Sequence, residues 1–247
     1  MKDNFSYFDF ICYFIPGTVL IWSILLFIKS LGILDSLATV NELTDTLCFV
    51  IIAFIVGHFI QHRAKLKLEP SIKKKYWKGA FISDQYLIKN SGFCSEVDRQ
   101  KYVKMAKEKF SYNEKELEKL NNISEESKEI CHSIYRKAYA LINNEGIAER
   151  AAIANTYYNF FRGLTVAFLY SAMLFLLLFI IKVVENWWAW NWATIKKDLL
   201  IPVLLTIFFL YLKECFKERT RQRGELHVEQ VFNSTYSKLI GGVHDDK

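Results

Sequence analysis

Two long apolar runs without a charged residue constrain the fold of this chain more than any other feature. They cover residues 10–28 and 163–181, and each contains 19 residues. An α-helix rises about 1.5 Å per residue, and the hydrocarbon core of a bilayer is about 30 Å thick, so each run is about long enough to cross it. Lipid cannot satisfy free backbone groups, which favours helices here. The sequence therefore predicts two transmembrane helices.

Two shorter apolar runs, residues 47–60 and 199–212, contain 14 residues each. A run of this length also suits a buried soluble helix or a re-entrant segment. With four crossings the two most heavily charged segments of the chain fall on the same side of the membrane, whereas removing either short run separates them. We therefore predict an all-α membrane protein with four transmembrane helices.

The distribution of Lys and Arg predicts the orientation. Residues 63–78 carry seven and residues 213–223 carry five, whereas the connections 29–46 and 182–198 carry one and three. Short loops rich in Lys and Arg stay in the cytoplasm. Both termini and residues 63–162 are therefore expected to be cytoplasmic.

The chain divides by composition into four segments. Residues 1–62 form a first transmembrane hairpin, and 63–146 a basic helical cytoplasmic domain. Residues 147–212 form a second hairpin with a cytoplasmic lead-in helix, and 213–247 a cytoplasmic helix and tail. Residues 63–162 hold 20 Lys and Arg against 13 Asp and Glu, a net charge of +7. This basic excess is the main electrostatic feature of the sequence.

Helical patterns continue through the charged segments. Residues 98–120 predict an exposed helix with a possible break at 111–113, and 124–142 an amphipathic helix capped by Ser124. Gly146 is expected to break the pattern. Residues 147–181 then read as one helix, and the last span continues into 213–240. These stalk-like extensions of the third and fourth spans can pack on an apolar stripe: Val228, Phe232, Tyr236, Leu239 and Ile240.

A basic run follows the second span and is interrupted by Pro70. Its ordinary role is to anchor the span in the cytoplasm, and contact with anionic lipid headgroups adds about 1 kcal/mol per basic residue. Contact with a protein partner is a further possibility. Nucleic acid is not an expected partner, because no recognised binding motif accompanies the charge. The basic residues are Arg63, Lys65, Lys67, Lys73, Lys74, Lys75 and Lys78.

Two histidines, His58 and His62, lie four residues apart where the second apolar run ends. This spacing can form half of a metal site. In a zinc-peptidase helix Glu follows the first His, but Phe59 stands there, so neither a metal site nor a cofactor is predicted. His62 reads as an interfacial residue beside Arg63.

His58 lies five residues, or about 7 Å, deeper in the membrane than Arg63. Asp9 has a comparable depth on the first span, and ionisable groups inside a membrane segment usually face a partner or water. We hypothesise a polar cluster of Asp9 and His58 near the inner interface, with Arg162 as a third member. The alternative is that each side chain reaches the headgroups independently.

Prolines in two spans suggest sites of bending. Pro16 and Gly17 lie in the first span, where they can kink the helix, allow close packing or take part in gating. Pro202 has an equivalent place in the fourth span. The chain contains no nucleophile elbow, phosphate-binding loop or dinucleotide-binding motif. A non-enzymatic protein is therefore expected.

Short motifs at the span ends resemble a group of four-pass bacterial membrane proteins, some encoded in phage-defence or CRISPR-associated loci and many without an assigned activity. The motifs are Phe8-Asp9-Phe10 with Pro16-Gly17, Gly57-His58-Phe59-Ile60-Gln61, Tyr158-Asn159-Phe160-Phe161-Arg162-Gly163-Leu164, and the aromatic pattern 228–236. The resemblance implies a bacterial inner-membrane protein. It also implies a self-associating effector or accessory that perturbs the membrane when a cytoplasmic partner signals infection.

Two other functions fit the same sequence. A transporter or channel subunit for a specific solute should carry ionisable residues or broken helices at the bilayer midplane. The centres of the charge-free runs contain few such features. A passive membrane scaffold could instead recruit a soluble partner through the basic segment.

Overall fold

The computed structural model describes residues 7–32, 42–187 and 192–241, and their side chains within 10–32, 46–185 and 199–240. This part of the chain is all-helical. Its α-helices are α1 (Tyr7–Ser30), α2 (Glu42–Arg63), α3 (Glu69–Tyr76), α4 (Glu96–Phe110), α5 (Glu114–Glu118), α6 (Glu125–Asn144), α7 (Glu149–Trp187) and α8 (Trp192–Gly241). Short 3-10 turns lie at Ile82–Asp84 and Lys119–Asn121, and a π-helical turn lies at Ala64–Leu68.

Four helical segments are long and apolar enough to cross a membrane: Phe10–Ser30, Thr46–Tyr76, Glu149–Glu185 and Leu199–Ile240. By length and composition, the prediction of four spans is confirmed. Each 14-residue run is part of a longer helix. The exposed surface of these segments is rich in large apolar side chains, as contact with lipid requires. Examples are Leu47, Ile51, Ile55, Phe59, Leu176, Ile180, Leu204 and Ile207.

The basic run after the second span is not interrupted by Pro70, and this expectation was wrong. The backbone N–H of Glu69 donates to Ala64 O, five residues earlier, which closes the π-helical turn. Pro70 follows in the first turn of α3. Proline has no N–H to donate within a continuous helix, and it lies directly after the π-helical turn, where the hydrogen-bond pattern departs from the regular α-helix. The backbone therefore stays helical from residue 42 to residue 76.

The chain divides into two compact units. Residues 1–69 and 156–220 form the first, here called the membrane unit, and residues 70–155 and 221–247 form the second, here called the helical unit. The four apolar runs of the sequence all lie in the membrane unit.

In the membrane unit, α1 and α2 pack with their backbones almost in contact. A Cβ atom added to Gly17 would lie 1.7 Å from Ala53 O, and one added to Gly57 would lie 1.9 Å from Tyr13 O. Real Cβ atoms do not approach other atoms so closely. Small residues at membrane helix contacts permit this approach and the dispersion contacts that come with it.

Helix α7 presents a stripe of small residues toward α1. Gly163, Ala167 and Ser171 follow one another at intervals of four and are all buried. A Cβ atom on Gly163 would lie 3.0 Å from Pro16 Cγ. Eight residues further along, Ser171 Oγ lies 2.8 Å from Ser23 Oγ, which is also 2.9 Å from Val19 O. The two hydroxyl groups therefore have hydrogen-bond partners within the protein, which a membrane segment needs because lipid offers none.

A ladder of phenylalanines joins α7 to α8 within the membrane unit. Phe161, Phe168 and Phe175 recur every seven residues on α7, and Phe209 and Phe216 do so on α8. The rings alternate, with centroid distances of 5.6 Å for 161–216, 5.2 Å for 168–216, 5.9 Å for 168–209 and 5.6 Å for 175–209. Seven residues are close to two helical turns, so the rings of each helix lie on one side.

The helical unit has a core of its own. Ser124 caps α6 as predicted and accepts from Ser127 N at 3.0 Å. On the predicted apolar face, Ile134, Ala138 and Ile142 are fully buried. The stripe on α8 is buried at Val228 and Phe232, with Ile240 exposed. Tyr86 and Tyr102 stack on the Phe232 ring at centroid distances of 5.3 Å and 5.2 Å, which places aromatic packing at the centre of this unit.

The predicted breaks are confirmed. Helix α4 ends at Phe110, Ser111 adopts a left-handed conformation with φ of 59°, and α5 begins at Glu114. Gly146 has φ of 71° between α6 and α7, a conformation that glycine adopts without a Cβ penalty. The predicted helix 147–181 is observed as Glu149–Trp187, and α8 continues through Gly224.

Candidate functional site

The side chain of Gln61 joins three helices of the membrane unit. Its amide Nε2 donates to Cys12 O on α1 at 3.0 Å and to Asn159 O on α7 at 2.8 Å. Its Oε1 accepts from Arg162, with Nε at 3.4 Å and Nη2 at 3.3 Å. An amide carries two donor hydrogens and one acceptor oxygen, and all are used. Gln61 is only 7 % exposed, so its amide needs these hydrogen bonds to offset the loss of contact with water.

Gly163 makes the room that the Gln61 amide occupies. A Cβ atom at this position would lie 2.5 Å from Nε2 of Gln61. Cys12 adds a bond beside the amide, because its Sγ lies 3.3 Å from Thr156 O. Gly163, the Gln61 amide and Cys12 therefore all contribute to the packing of α1 against α7 at this level of the membrane unit.

Arg162 also forms an ion pair with Glu69. Their Nη1 and Oε1 atoms are 3.6 Å apart, and the two side chains are 13 % and 12 % exposed. The Tyr158 hydroxyl donates to the same Glu69 oxygen at 2.9 Å, and the Arg162 guanidinium lies 5.4 Å from the centroid of the Tyr158 ring. We call Gln61, Glu69, Tyr158 and Arg162 the Arg162 cluster.

The Arg162 cluster is the best candidate functional site because it holds a largely buried ion pair. Removing two charges from water costs several kcal/mol per ion before their attraction is counted. Breaking such a pair by removing one partner is strongly destabilising, since the other charge stays buried. This ion pair therefore favours the observed packing of these helices over any packing that would separate the two charges.

His58 has neighbours different from those of Arg162. Its ring stacks on Tyr13 with centroids 3.9 Å apart and an interplanar angle of 15°, and it meets the Phe54 ring edge-on at 4.7 Å. Among the described residues, neither a hydrogen bond nor an ion pair joins His58 to Arg162. The Asp9 side chain lies outside the described residues, so the pairing of Asp9 with His58 stays a prediction.

The three residues expected to bend or gate the spans lie inside helices. Pro16 and Gly17 are buried in α1, and Pro202 is buried in α8. The close contact of Gly17 with Ala53 O supports the packing role that the sequence offered for it. A gating role for these residues stays a prediction.

The seven basic residues after the second span have unequal surroundings. Lys73 Nζ lies 3.1 Å from the centroid of the Phe81 ring, Lys75 Nζ lies 4.9 Å from that of Tyr76, and Lys78 Nζ donates to Ser91 O at 2.7 Å. Lys73 is half-buried, and the other six basic residues are exposed. Headgroup contact by these residues stays a prediction.

Sequence reasoning missed Gln61, Glu69 and Tyr158 as site residues. One signal was available for Gln61: it continues the i, i+4 series of Ala53 and Gly57, so it lies on the face of α2 that packs most closely. Glu69 had a weaker signal, as the one acidic residue in the basic run 63–78. Tyr158 belongs to an aromatic group that also suits a membrane interface.

Neither a search for metal-ligand groups nor a comparison with known proteins assigns a function to this chain. Within 7–32, 42–187 and 192–241, no three His, Cys, Asp or Glu residues are grouped so that they could hold a metal ion. No protein-family model, curated protein or solved structure matches this chain.

Proposed function

We propose that this protein is a non-enzymatic membrane effector or accessory protein that couples a cytoplasmic signal to a change in its membrane-spanning helices. The observation that carries the proposal is the Arg162–Glu69 ion pair, largely buried in the membrane unit and bound to Gln61 and Tyr158. Taking a carboxylate and a guanidinium out of water is costly, and removing one partner leaves the other charge buried without compensation. In this proposal the cluster acts as a latch: it holds the continuous helix 42–76 against α7 in the packing seen here, which is the state before the signal arrives.

The direction of the coupling follows from the chain. Glu69, the first residue of α3, ends the segment 1–69 of the membrane unit, and Pro70 begins the helical unit. A signal that shifts the rest of α3, from Pro70 onward, therefore acts on Glu69 through one peptide bond. Loss of its ion pair leaves the Arg162 charge poorly solvated, which favours a different packing of the spans. Membrane perturbation or pore opening is the proposed output.

The cellular setting rests on charge and on the resemblance. The excess of Lys and Arg in 63–78 and 213–223 supports a bacterial inner-membrane location with both termini cytoplasmic. Self-association and a cytoplasmic partner from a defence system complete the proposal. A nuclease or nucleotide-signalling enzyme encoded next to this gene would support a defence role, whereas a metabolic operon would favour the transport of a solute.

Neutralising the latch tests the proposal. Glu69→Gln and Arg162→Gln are each expected to depolarise cells on expression without a trigger, as measured with a membrane-potential dye. The double variant Glu69→Arg with Arg162→Glu should show a membrane potential closer to that of the wild-type protein than either single variant does, because it keeps opposite charges together. The exposed Arg63→Gln variant of the same helix is the matched control.

The amount of each variant in the membrane fraction is measured as well, because a variant that does not insert would be less abundant there, whereas loss of the latch leaves the abundance unchanged. A normal membrane potential in both single variants, at wild-type abundance, would contradict the latch. Equal depolarisation by Arg63→Gln would also contradict it, since the effect would then follow from net charge alone.

A further inference from the structure

The carbonyl of Cys12 lies where a proline interrupts the backbone hydrogen bonds of α1. In a regular α-helix the N–H of residue 16 donates to the carbonyl of residue 12. Pro16 has no N–H, so this bond cannot form, and a proline ring also crowds the carbonyl four residues before it. Cys12 and Pro16 are both buried within the span Phe10–Ser30. Lipid offers no donor there, so the protein must supply one.

Gln61 supplies a donor at this carbonyl. Its Nε2 lies 3.0 Å from Cys12 O, and the second hydrogen of the same nitrogen is donated to Asn159 O at 2.8 Å. One amide group therefore joins a carbonyl of α1 to a carbonyl of α7. Membrane helices tolerate a proline where neighbouring helices provide such replacement bonds.

The proline ring and the Gln61 amide lie against the same point of α7. A Cβ atom added to Gly163 would lie 3.0 Å from Pro16 Cγ and 2.5 Å from Gln61 Nε2. The absence of a side chain at Gly163 therefore leaves room for both groups. Pro16 and Gln61 thus share one carbonyl, Cys12 O, and one contact surface.

We propose that Pro16 and Gln61 form a coupled pair, in which the Gln61 amide donates to Cys12 O in place of the N–H that Pro16 lacks. The pair makes α1 depend on a side chain of α2 whose Oε1 accepts from Arg162. A movement that withdraws Gln61 removes this donor from Cys12 O, so α1 has to repack together with α2. For this extension of the latch to α1 the inference rests on the proposed function, whereas the pairing itself does not.

A double-mutant cycle on the full chain tests the pairing, with the SDS fraction at the midpoint of unfolding as the readout. Gln61→Met keeps the length of the side chain and removes its hydrogen bonds, so the midpoint should fall. Pro16→Ala adds an N–H that can donate to Cys12 O, so Gln61→Met should lower the midpoint less in this background. The bonds to Asn159 O and Arg162 are lost in both backgrounds and cancel in the comparison. The difference corresponds to one buried acceptor, about tenfold in the ratio of folded to unfolded protein.

Pro202→Ala is the matched control, because Pro202 is also a buried proline inside a helix of the membrane unit, and Gln61 does not donate to its helix. Gln61→Met should lower the midpoint equally with and without Pro202→Ala. Equal shifts in the wild-type, Pro16→Ala and Pro202→Ala backgrounds would overturn the pairing.

Hydrogen–deuterium exchange of the Gln61 side-chain amide provides a second test, which does not require Gln61→Met to fold. Nuclear magnetic resonance of the wild-type chain in micelles should show slow exchange of this amide. In Pro16→Ala the new N–H competes for Cys12 O, so the exchange should be faster, whereas Pro202→Ala should leave it unchanged. The same exchange rate in Pro16→Ala and in the wild-type protein would count against the pairing.

Failure of the pairing and failure of the latch have different signatures. The cycle measures stability, whereas the latch is judged by the membrane potential in Glu69→Gln and Arg162→Gln. Additive midpoint shifts would overturn the pairing even if those two variants depolarise cells. A non-additive cycle would support the pairing even if their membrane potential is normal.

Discussion

At the scale of single residues, the motif Gly57-His58-Phe59-Ile60-Gln61 separates into three roles. Gly57 allows the backbone of α1 to approach, His58 stacks on Tyr13, and Gln61 binds Cys12 O, Asn159 O and Arg162. Histidine attracts attention in a sequence because it titrates and binds metals. The amide beside it makes more contacts, since it has donors and an acceptor in one rigid group.

Gly57→Ala is expected to destabilise the membrane unit. The new methyl group would start 1.9 Å from Tyr13 O, and because that atom belongs to the backbone, α1 and α2 must separate. Overpacking of this kind costs about 1–3 kcal/mol. The measurement is the SDS fraction at the midpoint of unfolding in mixed micelles, which should fall.

Ile55→Ala is the control for Gly57→Ala, because Ile55 lies two residues away on the exposed surface of the same helix. Its midpoint should change little. An unchanged midpoint in Gly57→Ala would show that the helices do not pack as closely as the structure indicates.

At the scale of elements, α7 carries two different packing surfaces. Small residues at 163, 167 and 171 pack toward α1, whereas phenylalanines at 161, 168 and 175 pack on α8. The apolar run as a whole reads only as a membrane span. Its two repeats, of four and seven residues, are what distinguish its neighbours.

Phe209→Ala should weaken the contact of α8 with α7. The Phe209 ring packs on Phe168 and Phe175, and ring pairs contribute about 0.5–1.5 kcal/mol each beyond their buried area. We expect a loss of about 1–3 kcal/mol, measured as a lower SDS midpoint. Phe208→Ala removes a neighbouring ring that is 52 % exposed and should have a small effect. Equal effects of the two variants would contradict the ladder.

At the scale of the whole molecule, the two units keep different chemistry in their interiors. The membrane unit pairs polar groups such as Gln61 with Arg162 and Ser23 with Ser171, and it exposes apolar side chains. The helical unit buries titratable groups among aromatic rings. Burial raises the pKa of Cys131 to about 12 and that of Cys94 to about 11. Burial also raises the pKa of the Tyr86 and Tyr102 hydroxyls.

These shifts predict that the helical unit loses stability in alkali. A group with a raised pKa keeps its proton in the folded state, so its stabilising contribution is complete below the unfolded-state pKa. The contribution is lost as pH rises toward the folded-state pKa. For the two thiols the loss begins near pH 9. The urea midpoint of the tyrosine near-ultraviolet circular dichroism should therefore fall between pH 8 and pH 10.

Cys131→Ala provides the internal comparison for the alkaline loss. It removes one buried thiol, so the urea midpoint should fall less steeply with pH, whatever its value at neutral pH. The same slope in the variant and in the wild-type protein would rule out Cys131 as a contributor.

By itself, the sequence determined the elements of this protein. Charge-free runs, helical periodicity, a serine cap and two helix breaks were sufficient for four spans and for α4 to α8, because lipid and water impose their patterns locally. Pro70 was the exception, since the effect of a proline depends on its place in a helical turn.

Only the tertiary structure decided which residues form the candidate site. Gln61 and Glu69 come from α2 and α3, and Tyr158 and Arg162 come from α7, about a hundred residues later in the sequence. Their pairing depends on how closely Gly163 lets these helices approach. The sequence pointed instead to the ionisable residues His58 and Asp9. The sequence identifies which residues need partners in a membrane. Which partners they find depends on distances of a few ångströms between helices, and only the packing of those helices determines the distances.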